Sequence, residues 1–247
     1  MHRHPDFIPV YTDGSKSEHA CGSAVVSSYH GTLKAKLSPL CSGYTAELFA
    51  IKMALCGIKC SNASFMVCSD SMSALQALSS FSSCHPIVQE IQNKLLSLDR
   101  KGVKIRFLWV PGHVGIAGNE RADSAAKEAL EDVVATSGLV PYEDLKANLK
   151  VKALEKWKDT WHSLTGNKLR TIKPVISAWP TSVRRNRREE VAITRLRIGH
   201  CTLTHSYLFT EERIPPLCDV CDSPITVRHL LTVCEKYRAV RHRLNIG

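Results

Sequence analysis

Hydrophobic and polar positions in the first half of the chain follow two different periods. Short apolar runs with a period of two predict strands, and longer runs with apolar residues three or four apart predict helices. In chain order these segments are PVYTDGS, SAVVSSYHGTLKAKL, YTAELFAIKMALCGIK, SFMVCSD, SMSALQALSS, PIVQEIQNKLLSLDRK, KIRFLWV and the helix that begins within GIAGNERADSAAKEAL. The second segment predicts two strands around Tyr29 to Gly31. The order βββαβααβα therefore predicts an α/β fold, a five-stranded mixed sheet flanked by helices.

The second half of the chain follows a helical pattern. The segment TSGLVPYEDL predicts a linker that enters a helix at Pro141, and VAITRLRI predicts a further helix. One helix face carries apolar residues three and four apart, which favours a core position for its two tryptophans. These residues are Leu154, Trp157, Trp161 and Leu164. We expect two domains, residues 1–135 and residues 136–247, of which the second is mostly helical.

Charge divides these two parts unequally. Residues 1–135 carry 13 Lys/Arg against 12 Asp/Glu, whereas residues 136–247 carry 20 against 11. A basic segment of this kind is typical of proteins that bind polyanions, although a solvated basic surface is the alternative. Because apolar runs of about 18 residues are absent from the sequence, we expect no membrane span. We also expect an intracellular protein, cytoplasmic or nuclear, with reduced cysteines, since a secretory pattern is absent too.

Four acidic residues stand at positions where a hydrophobic core would not ordinarily accept them. Asp13 and Asp70 end two predicted strands. Glu47 and Asp123 lie on the apolar faces of two predicted helices. Any one of these acids could cap a turn or a helix, but four of them at one sheet edge would repel unless cations neutralised them. Oxygen ligands of this kind favour Mg²⁺ or Mn²⁺, and two such ions form the clamp used for displacement at phosphorus.

A glycine-containing loop precedes the helix of Asp123 and carries His113, with Gly112, Gly115 and Gly118 around it. Glycines allow such a loop to move a side chain into and out of a site. Imidazole titrates near neutral pH and suits proton transfer to a leaving oxygen. His113 is therefore a candidate catalytic group, and an ordinary loop histidine is the alternative interpretation.

Four motifs together resemble the four blocks of type 1 ribonuclease H: YTDGS, AELFAIKMAL, CSDS and WVPGHVGIAGNERADSAAKEA. The resemblance covers roughly Pro9 to Leu130. It implies hydrolysis of the RNA strand of an RNA–DNA hybrid with two Mg²⁺ or Mn²⁺ ions. The implied metal ligands are Asp13, Glu47, Asp70 and Asp123. His113 matches the family's mobile histidine, which assists proton transfer and product release. The candidate substrate contacts are Gly14, Ser15, Ser71 and Asn119, and helix capping is the alternative for Ser71 and Asn119.

A Cys/His pattern, C-x2-C-x7-H-x4-C, lies within CDVCDSPITVRHLLTVC in the basic tail. Its residues are Cys218, Cys221, His229 and Cys234. The close cysteine pair suits a metal knuckle and the His–Cys pair suits a helix turn, so the pattern predicts a tetrahedral structural Zn²⁺ site over about 217–237. With ten cysteines in the chain, a chance pattern is the alternative.

This Cys/His segment, preceded by LRIGHCTLTHSYLF, resembles the tail that follows the ribonuclease H domain in non-LTR retrotransposon polyproteins. That resemblance implies a fragment of a larger polyprotein with reverse transcriptase upstream. Basic residues are sparse between Asp70 and Trp109, where some family members carry a Lys-rich insertion. We therefore expect the basic tail to supply affinity for the hybrid or for other nucleic acid.

Two other functions compete with hybrid hydrolysis. One is a non-catalytic hybrid-binding or nucleic-acid-binding remnant of a retrotransposon, and the intact acids and His113 argue against it. The other is a DNA-cutting or strand-transfer enzyme with a related fold. The fourth acid, on a helix that follows PGHVGIAGNERAD, favours ribonuclease H over that alternative.

Overall fold

The structure is a computed structural model that describes residues 7–59, 63–80, 82–132, 139–177, 186–209, 211 and 214–246. The chain divides into two compact units, Met1–Val151 and Lys152–Gly247. The predicted domain boundary between residues 135 and 136 lies outside the described residues, so it stays a prediction.

A five-stranded sheet forms the centre of the first unit. Its strands are β1 (Ile8–Lys16), β2 (Cys21–Ser27), β3 (Gly31–Leu37), β4 (Ser64–Ser69) and β5 (Lys104–Trp109). The spatial order is β3-β2-β1-β4-β5. The pairs β1–β2 and β2–β3 are antiparallel, whereas β1–β4 and β4–β5 are parallel. The sheet is therefore mixed, as the sequence predicted, and β1 is its central strand.

Helices cover both faces of this sheet. The helices are α1 (Gly43–Gly57), α2 (Met72–Ser79), α3 (Pro86–Asp99) and α4 (Ala117–Glu128). Helices α1, α2 and α3 share one buried cluster that includes Val25, Ile51 and Phe65. Helix α4 packs on the opposite face, against Ala24 and Val26. Each fully buried large side chain stabilises the fold by about 1.5–3 kcal/mol, so the α1 face supplies most of the hydrophobic stabilisation.

Small residues bring α4 unusually close to the sheet. Ala122, Ala125 and Ala126 form the buried face of the helix. On strand β2, a Cβ added to Gly22 would lie 2.4 Å from the backbone oxygen of Ala126. The absence of a side chain at Gly22 is therefore what allows this approach, which also sets the position of Asp123 on α4.

Helix α5 (Tyr142–Ser163) begins directly after Pro141, as predicted, and its start belongs to the first unit. Val140 packs against a buried cluster that includes Leu37 and Cys41. Asn148 Nδ2 donates a hydrogen bond to the backbone oxygen of Leu40 at 2.8 Å. Neither α5 nor any other helix in the described part of the chain is long and apolar enough to cross a membrane.

The second unit is mostly helical, which confirms the predicted fold class. Its helices after α5 are α6 (Lys168–Ile172), α7 (Arg187–Ile198), α8 (Thr202–His205) and α9 (Arg238–Arg243). Asn186 caps the start of α7, because its side chain accepts a hydrogen bond from Arg188 N, and Gly199, where φ is 79°, follows the last residue of the helix. A left-handed residue at this position is the usual glycine stop signal.

The prediction that the two tryptophans of α5 lie in a core is wrong for Trp157, which is 58% exposed. Trp161 is half-buried, and its Nε1 donates to the backbone oxygen of Lys173 at 3.0 Å. The periodicity of a helix indicates an apolar face, but it does not show whether another element covers that face.

We predict that Gly22→Ala destabilises the first unit by about 1–3 kcal/mol, because the new Cβ would meet a backbone oxygen that cannot rotate away. Chemical denaturation followed by circular dichroism measures the change. Gly43→Ala is the matched control, since its Cβ would meet only Lys16 Cβ at 3.7 Å. Equal stability of Gly22→Ala and the parent protein would contradict this close approach.

Candidate active site and Cys/His cluster

Strands β1 and β4 and helix α1 bring three of the four predicted acids together. Each of Asp13, Glu47 and Asp70 contributes one carboxylate oxygen, and these three oxygens lie within 4.8 Å of one another. Asp13 is on β1 and Asp70 directly follows β4, and parallel neighbours end at the same edge of a sheet. Glu47 lies near the start of α1. The fold therefore gathers side chains that are up to 57 residues apart in the sequence.

Two glycines make room for this cluster. A Cβ on Gly14 would lie 2.4 Å from the backbone nitrogen of Glu47, so α1 can approach β1 only where the strand has no side chain. A Cβ on Gly112 would lie 2.7 Å from Oδ2 of Asp70. Gly14 and Gly112 are thus part of the packing that holds the acids in place.

Asp13 is buried and Glu47 and Asp70 are half-buried, which costs electrostatic energy. Burial, together with the carboxylates of Asp70 and Asp123, raises the pKa of Asp13 to about 7. Burial, together with Asp13 and Asp70, raises the pKa of Glu47 to about 9, although a hydrogen bond from the backbone of Gly14 opposes the shift. These shifts show that the protein alone does not compensate the negative charge.

The donor set fits a divalent cation. Glu47 Oε2 is buried, and among the described residues it has no hydrogen-bond partner. Three carboxylates, one of which carries this unpaired oxygen, form the kind of all-oxygen site that Mg²⁺ or Mn²⁺ prefers. Bound metal would also return the pKa values of Asp13 and Glu47 toward their ordinary range, because a cation favours the ionised form.

The fourth acid, Asp123, lies in a neighbouring group. Ligand atoms of His113, Glu120 and Asp123 lie within 4.8 Å of one another. Lys127 Nζ donates to Asp123 Oδ2 at 2.7 Å, and His113 Nδ1 is 4.0 Å from the same oxygen. The structure thus brings Asp123 close enough to raise the pKa of Asp13, but pairs it with a lysine.

His113 is an exposed residue of the loop before α4 and has an unusual backbone conformation. Its side chain is 72% exposed and its φ is 57°, in the left-handed region that non-glycine residues rarely occupy. Gly112 and Gly115 lie in the loop, whereas Gly118 belongs to α4. There a Cβ would lie 2.1 Å from the ring of Tyr11, so Gly118 serves packing rather than loop freedom.

The four candidate substrate contacts have structural partners, and their role toward substrate stays a prediction. Asn119 is 1% exposed, and its Nδ2 donates to Asp70 Oδ2 at 3.3 Å. Ser71 caps α2 by accepting a hydrogen bond from Ala74 N at 3.4 Å. Ser15 pairs with Gly22 in the β1–β2 register, and Gly14 supports Glu47 as described above.

Three residues of this site were missed at the sequence level. Lys127 lies four residues after Asp123 and Glu120 three residues before it, spacings at which helical side chains are neighbours. That spacing was the signal that could have found both. Trp109 Nε1 donates to the backbone oxygen of Asp70 at 3.0 Å across 39 residues, a contact with no local signal.

The second unit contains the predicted Cys/His cluster. Ligand atoms of Cys218, Cys221, His229 and Cys234 all lie within 4.8 Å of one another. A tight turn holds the first pair, with Cys218 N donating to Ser223 O at 2.9 Å. A π-helical turn from His229 to Val233 holds the second pair, and Cys234 N donates to His229 O at 2.9 Å. This wider turn brings residues five apart to the same side.

The geometry of this cluster fits a tetrahedral zinc ion. The sulfurs of Cys218 and Cys234 are 3.6 Å apart, close to the roughly 3.8 Å edge of a tetrahedron with zinc–sulfur bonds of about 2.3 Å. His229 Nδ1 is within 3.3 Å of Ser223 Oγ, while its buried Nε2 has no partner in the described part of the chain. The neighbouring His229 side chain lowers the pKa of Cys218 to about 6, which favours the thiolate that binds metal.

A mixed sheet of this order, with acids from β1, α1 and β4 at one edge, defines a ribonuclease H-like fold. A family model described as RNase H matches residues 6–131, more than half of the chain, and the chain belongs to this family. Members generally use divalent metal ions, and membership supports hydrolysis of RNA–DNA hybrids in general.

Similar proteins include Pol polyproteins of equine infectious anemia virus. Those of isolates 1369 and CL22 are each 33% identical to this chain over 136 residues. That of strain Wyoming is 32% identical over 138 residues. Each match covers 53% of this chain and 11% of the polyprotein, so the chain spans about a tenth of the length of these relatives.

We predict that the first unit loses stability with rising pH in buffer free of Mg²⁺ and Mn²⁺. The unfolded chain ionises near the ordinary carboxyl values, whereas folded Asp13 and Glu47 keep their protons up to about pH 7 and about pH 9. Between about pH 4 and about pH 9 the folded state therefore binds more protons, and the free energy of unfolding falls.

Chemical denaturation across this pH window measures the slope. Glu47→Gln should flatten the slope between about pH 7 and about pH 9, because the folded-state proton of Glu47 is no longer involved. Glu18→Gln is the matched control, since the side chain of Glu18 is 88% exposed. The electrostatic interpretation would be wrong if Glu47→Gln kept the slope of the parent protein.

Proposed function

We propose that this chain hydrolyses the RNA strand of RNA–DNA hybrids by a two-metal-ion mechanism. The observation that carries the proposal is the cluster of Asp13, Glu47 and Asp70, with a buried unpaired oxygen, inside the segment that matches the RNase H family. Asp123 lies beside it on α4. A cluster of acids with unneutralised charge is poorly suited to structural support and well suited to cation binding.

Asp13, Glu47, Asp70 and Asp123 would hold the two Mg²⁺ or Mn²⁺ ions. Bound metal supplies activation of an attacking water and stabilisation of the leaving oxygen at phosphorus. Asn119 fixes the orientation of the Asp70 carboxylate by donating to Oδ2. Trp109 supports the same residue through its backbone oxygen. Asp70 is thus held by neighbours and does not rely on the metal for its geometry.

His113 would transfer a proton at the leaving group. Its ring is exposed to solvent, so an approaching phosphodiester can reach it, and its Nδ1 lies 4.0 Å from Asp123 Oδ2. Lys127 pairs with Asp123, and the ammonium group of Lys127 supplies positive charge at the site when metal is absent. We expect Lys127 to rotate away when Asp123 binds metal, because both compete for the same carboxylate.

The second unit would hold structural zinc and bind nucleic acid. The Cys/His cluster places Arg228 next to His229, and α9 follows it with Arg238, Arg241 and Arg243. Zinc would fix these arginines on an ordered segment, where they can contact phosphates. The resemblance of this tail to those of non-LTR retrotransposons supports an origin in a retrotransposon polyprotein with reverse transcriptase upstream.

We predict that Asp70→Asn abolishes cleavage of labelled RNA–DNA hybrid in Mg²⁺, because the two-metal site loses the negative charge of one carboxylate ligand. Without metal, the variant should unfold no more easily than the parent protein, since the substitution relieves repulsion. His113→Ala is the comparison variant and should slow cleavage by about a hundredfold or less, as expected for an acid–base group.

Three substrates distinguish the competing functions. The parent protein should cut the hybrid and leave duplex RNA and duplex DNA intact. Preferential cleavage of duplex DNA would support the DNA-cutting alternative, and binding of hybrid without cleavage would support a non-catalytic remnant. Normal turnover by Asp70→Asn would refute the assignment of the site.

We also predict that Cys218→Ser removes one equivalent of zinc and raises KM for hybrid with little change in kcat, the sign of lost uniform binding. The dependence of affinity on salt should become shallower, because fewer phosphate contacts release counterions. Cys56→Ser is the matched control, since Cys56 is an exposed free thiol. Full zinc content and unchanged affinity for hybrid in Cys218→Ser would rule out zinc-dependent binding of the hybrid by the second unit.

A further inference from the structure

A buried carboxylate of the first unit, outside the family-matched segment, is bonded to the start of the helix that carries Glu47. Asp144 lies in the first turn of α5, beyond the match at residues 6–131, and is 8% exposed. A buried charge is unfavourable unless hydrogen bonds compensate it. The partners of Asp144 therefore show what it stabilises.

Both partners belong to the start of α1. Asp144 Oδ2 accepts from the backbone nitrogen of Ser42 at 2.9 Å and from the hydroxyl of Thr45 at 2.6 Å. Ser42 is the N-cap of α1, and its own side chain accepts from Thr45 N at 3.1 Å. An anion at a helix N-terminus is favoured by the helix dipole and by the charge-assisted character of these hydrogen bonds.

The rest of the α5 start holds Asp144 in register with α1. Asn148 Nδ2 donates to Leu40 O and to Asp144 O, both at 2.8 Å. Val140 packs against the cluster of buried residues that includes Cys41 and Ala46. These contacts tie the segment before α1 to α5 on both sides of the carboxylate.

The position of this first turn determines the position of Glu47, which follows Thr45 by two residues. The backbone of α1 already lies against Gly14, with 2.4 Å between Glu47 N and an added Cβ on that glycine. Little free space therefore remains, and a small shift of the turn would change the distance of the Glu47 carboxylate from Asp13 and Asp70.

We propose that Asp144 is a positioning residue for the acid cluster: by holding Ser42 and Thr45 it fixes the start of α1, and with it Glu47. Helix α5 is then a functional part of the catalytic unit, although it lies outside the family match. This inference rests on the proposed function, because Glu47 is assumed to bind metal.

The test uses the full chain and the variant Asp144→Ala. We expect Mg²⁺ affinity, measured by calorimetry, to fall by about tenfold, a typical effect of removing a residue that orients a metal ligand. The Mg²⁺ concentration for half-maximal hybrid cleavage should rise in parallel. The zinc cluster does not interfere, because thiolates do not favour Mg²⁺. Glu143→Ala, an exposed neighbour on the same turn, is the matched control and should change neither quantity.

Two further variants separate positioning from simple stability. Asp144→Asn keeps one acceptor oxygen and should recover part of the lost Mg²⁺ affinity. Thr45→Val keeps the shape of a side chain that is only 1% exposed and removes its hydrogen bond to Asp144, so Mg²⁺ affinity should fall by a smaller factor of about threefold. If Asp144→Ala fails to fold, Thr45→Val decides the question.

Unchanged Mg²⁺ affinity in Thr45→Val, or in folded Asp144→Ala with only a lower unfolding temperature, would overturn the positioning role. That failure differs from a failure of the proposed function. If the parent protein neither binds Mg²⁺ nor cleaves hybrid, the proposed function fails and the inference falls with it. If the parent does both, the variants test Asp144 alone.

Discussion

Asp13, Glu47 and Asp70 hold three carboxylates within 4.8 Å of one another at one edge of the sheet, and like charges at this distance repel strongly when they are buried. The surrounding structure partly offsets that repulsion. Because Gly14 and Gly112 lack side chains, the backbone of α1 and the loop after β5 can lie close to the acids, and Asn119 donates to Asp70. The raised pKa values of Asp13 and Glu47 show that the compensation is incomplete, which is the physical reason to infer a cation.

The negative charges of Asp123 and of the Cys/His cluster are compensated in two other ways. Asp123 is paired with Lys127 one helical turn away, so a flexible cation supplied by the protein stands beside a site suited to metal. In the second unit, Cys218 and Cys234 place their sulfurs 3.6 Å apart, and His229 stabilises a thiolate. The lysine side chain of the Asp123–Lys127 pair can move. The Cys/His cluster, in contrast, is enclosed by backbone turns on both sides, as expected of a structural site.

The first unit extends beyond the RNase H match, and the hydrogen bonds of a buried carboxylate help to hold this extension in place. The RNase H match ends at residue 131, yet the buried carboxylate of Asp144 is bonded to the start of α1, and Asn148 is bonded to Leu40. Sequence similarity detects the residues that family members share, and in this chain the start of α5 packs on the first unit outside that segment. A functional unit can therefore be longer than the segment that similarity identifies.

Local periodicity by itself determined the order of strands and helices in the first unit, because strands and amphipathic helices have different repeats. The sequence also singled out Asp13, Glu47 and Asp70, since carboxylates at strand ends and on an apolar helix face are locally unusual. Tertiary structure alone decided the contact of Trp109 with Asp70 and the contact of Asp144 with Ser42. These two contacts join residues 39 and 102 positions apart, and the exposure of Trp157 depends on whether another element covers its helix. Local patterns hold no information on such distant neighbours, which only the folded chain brings together.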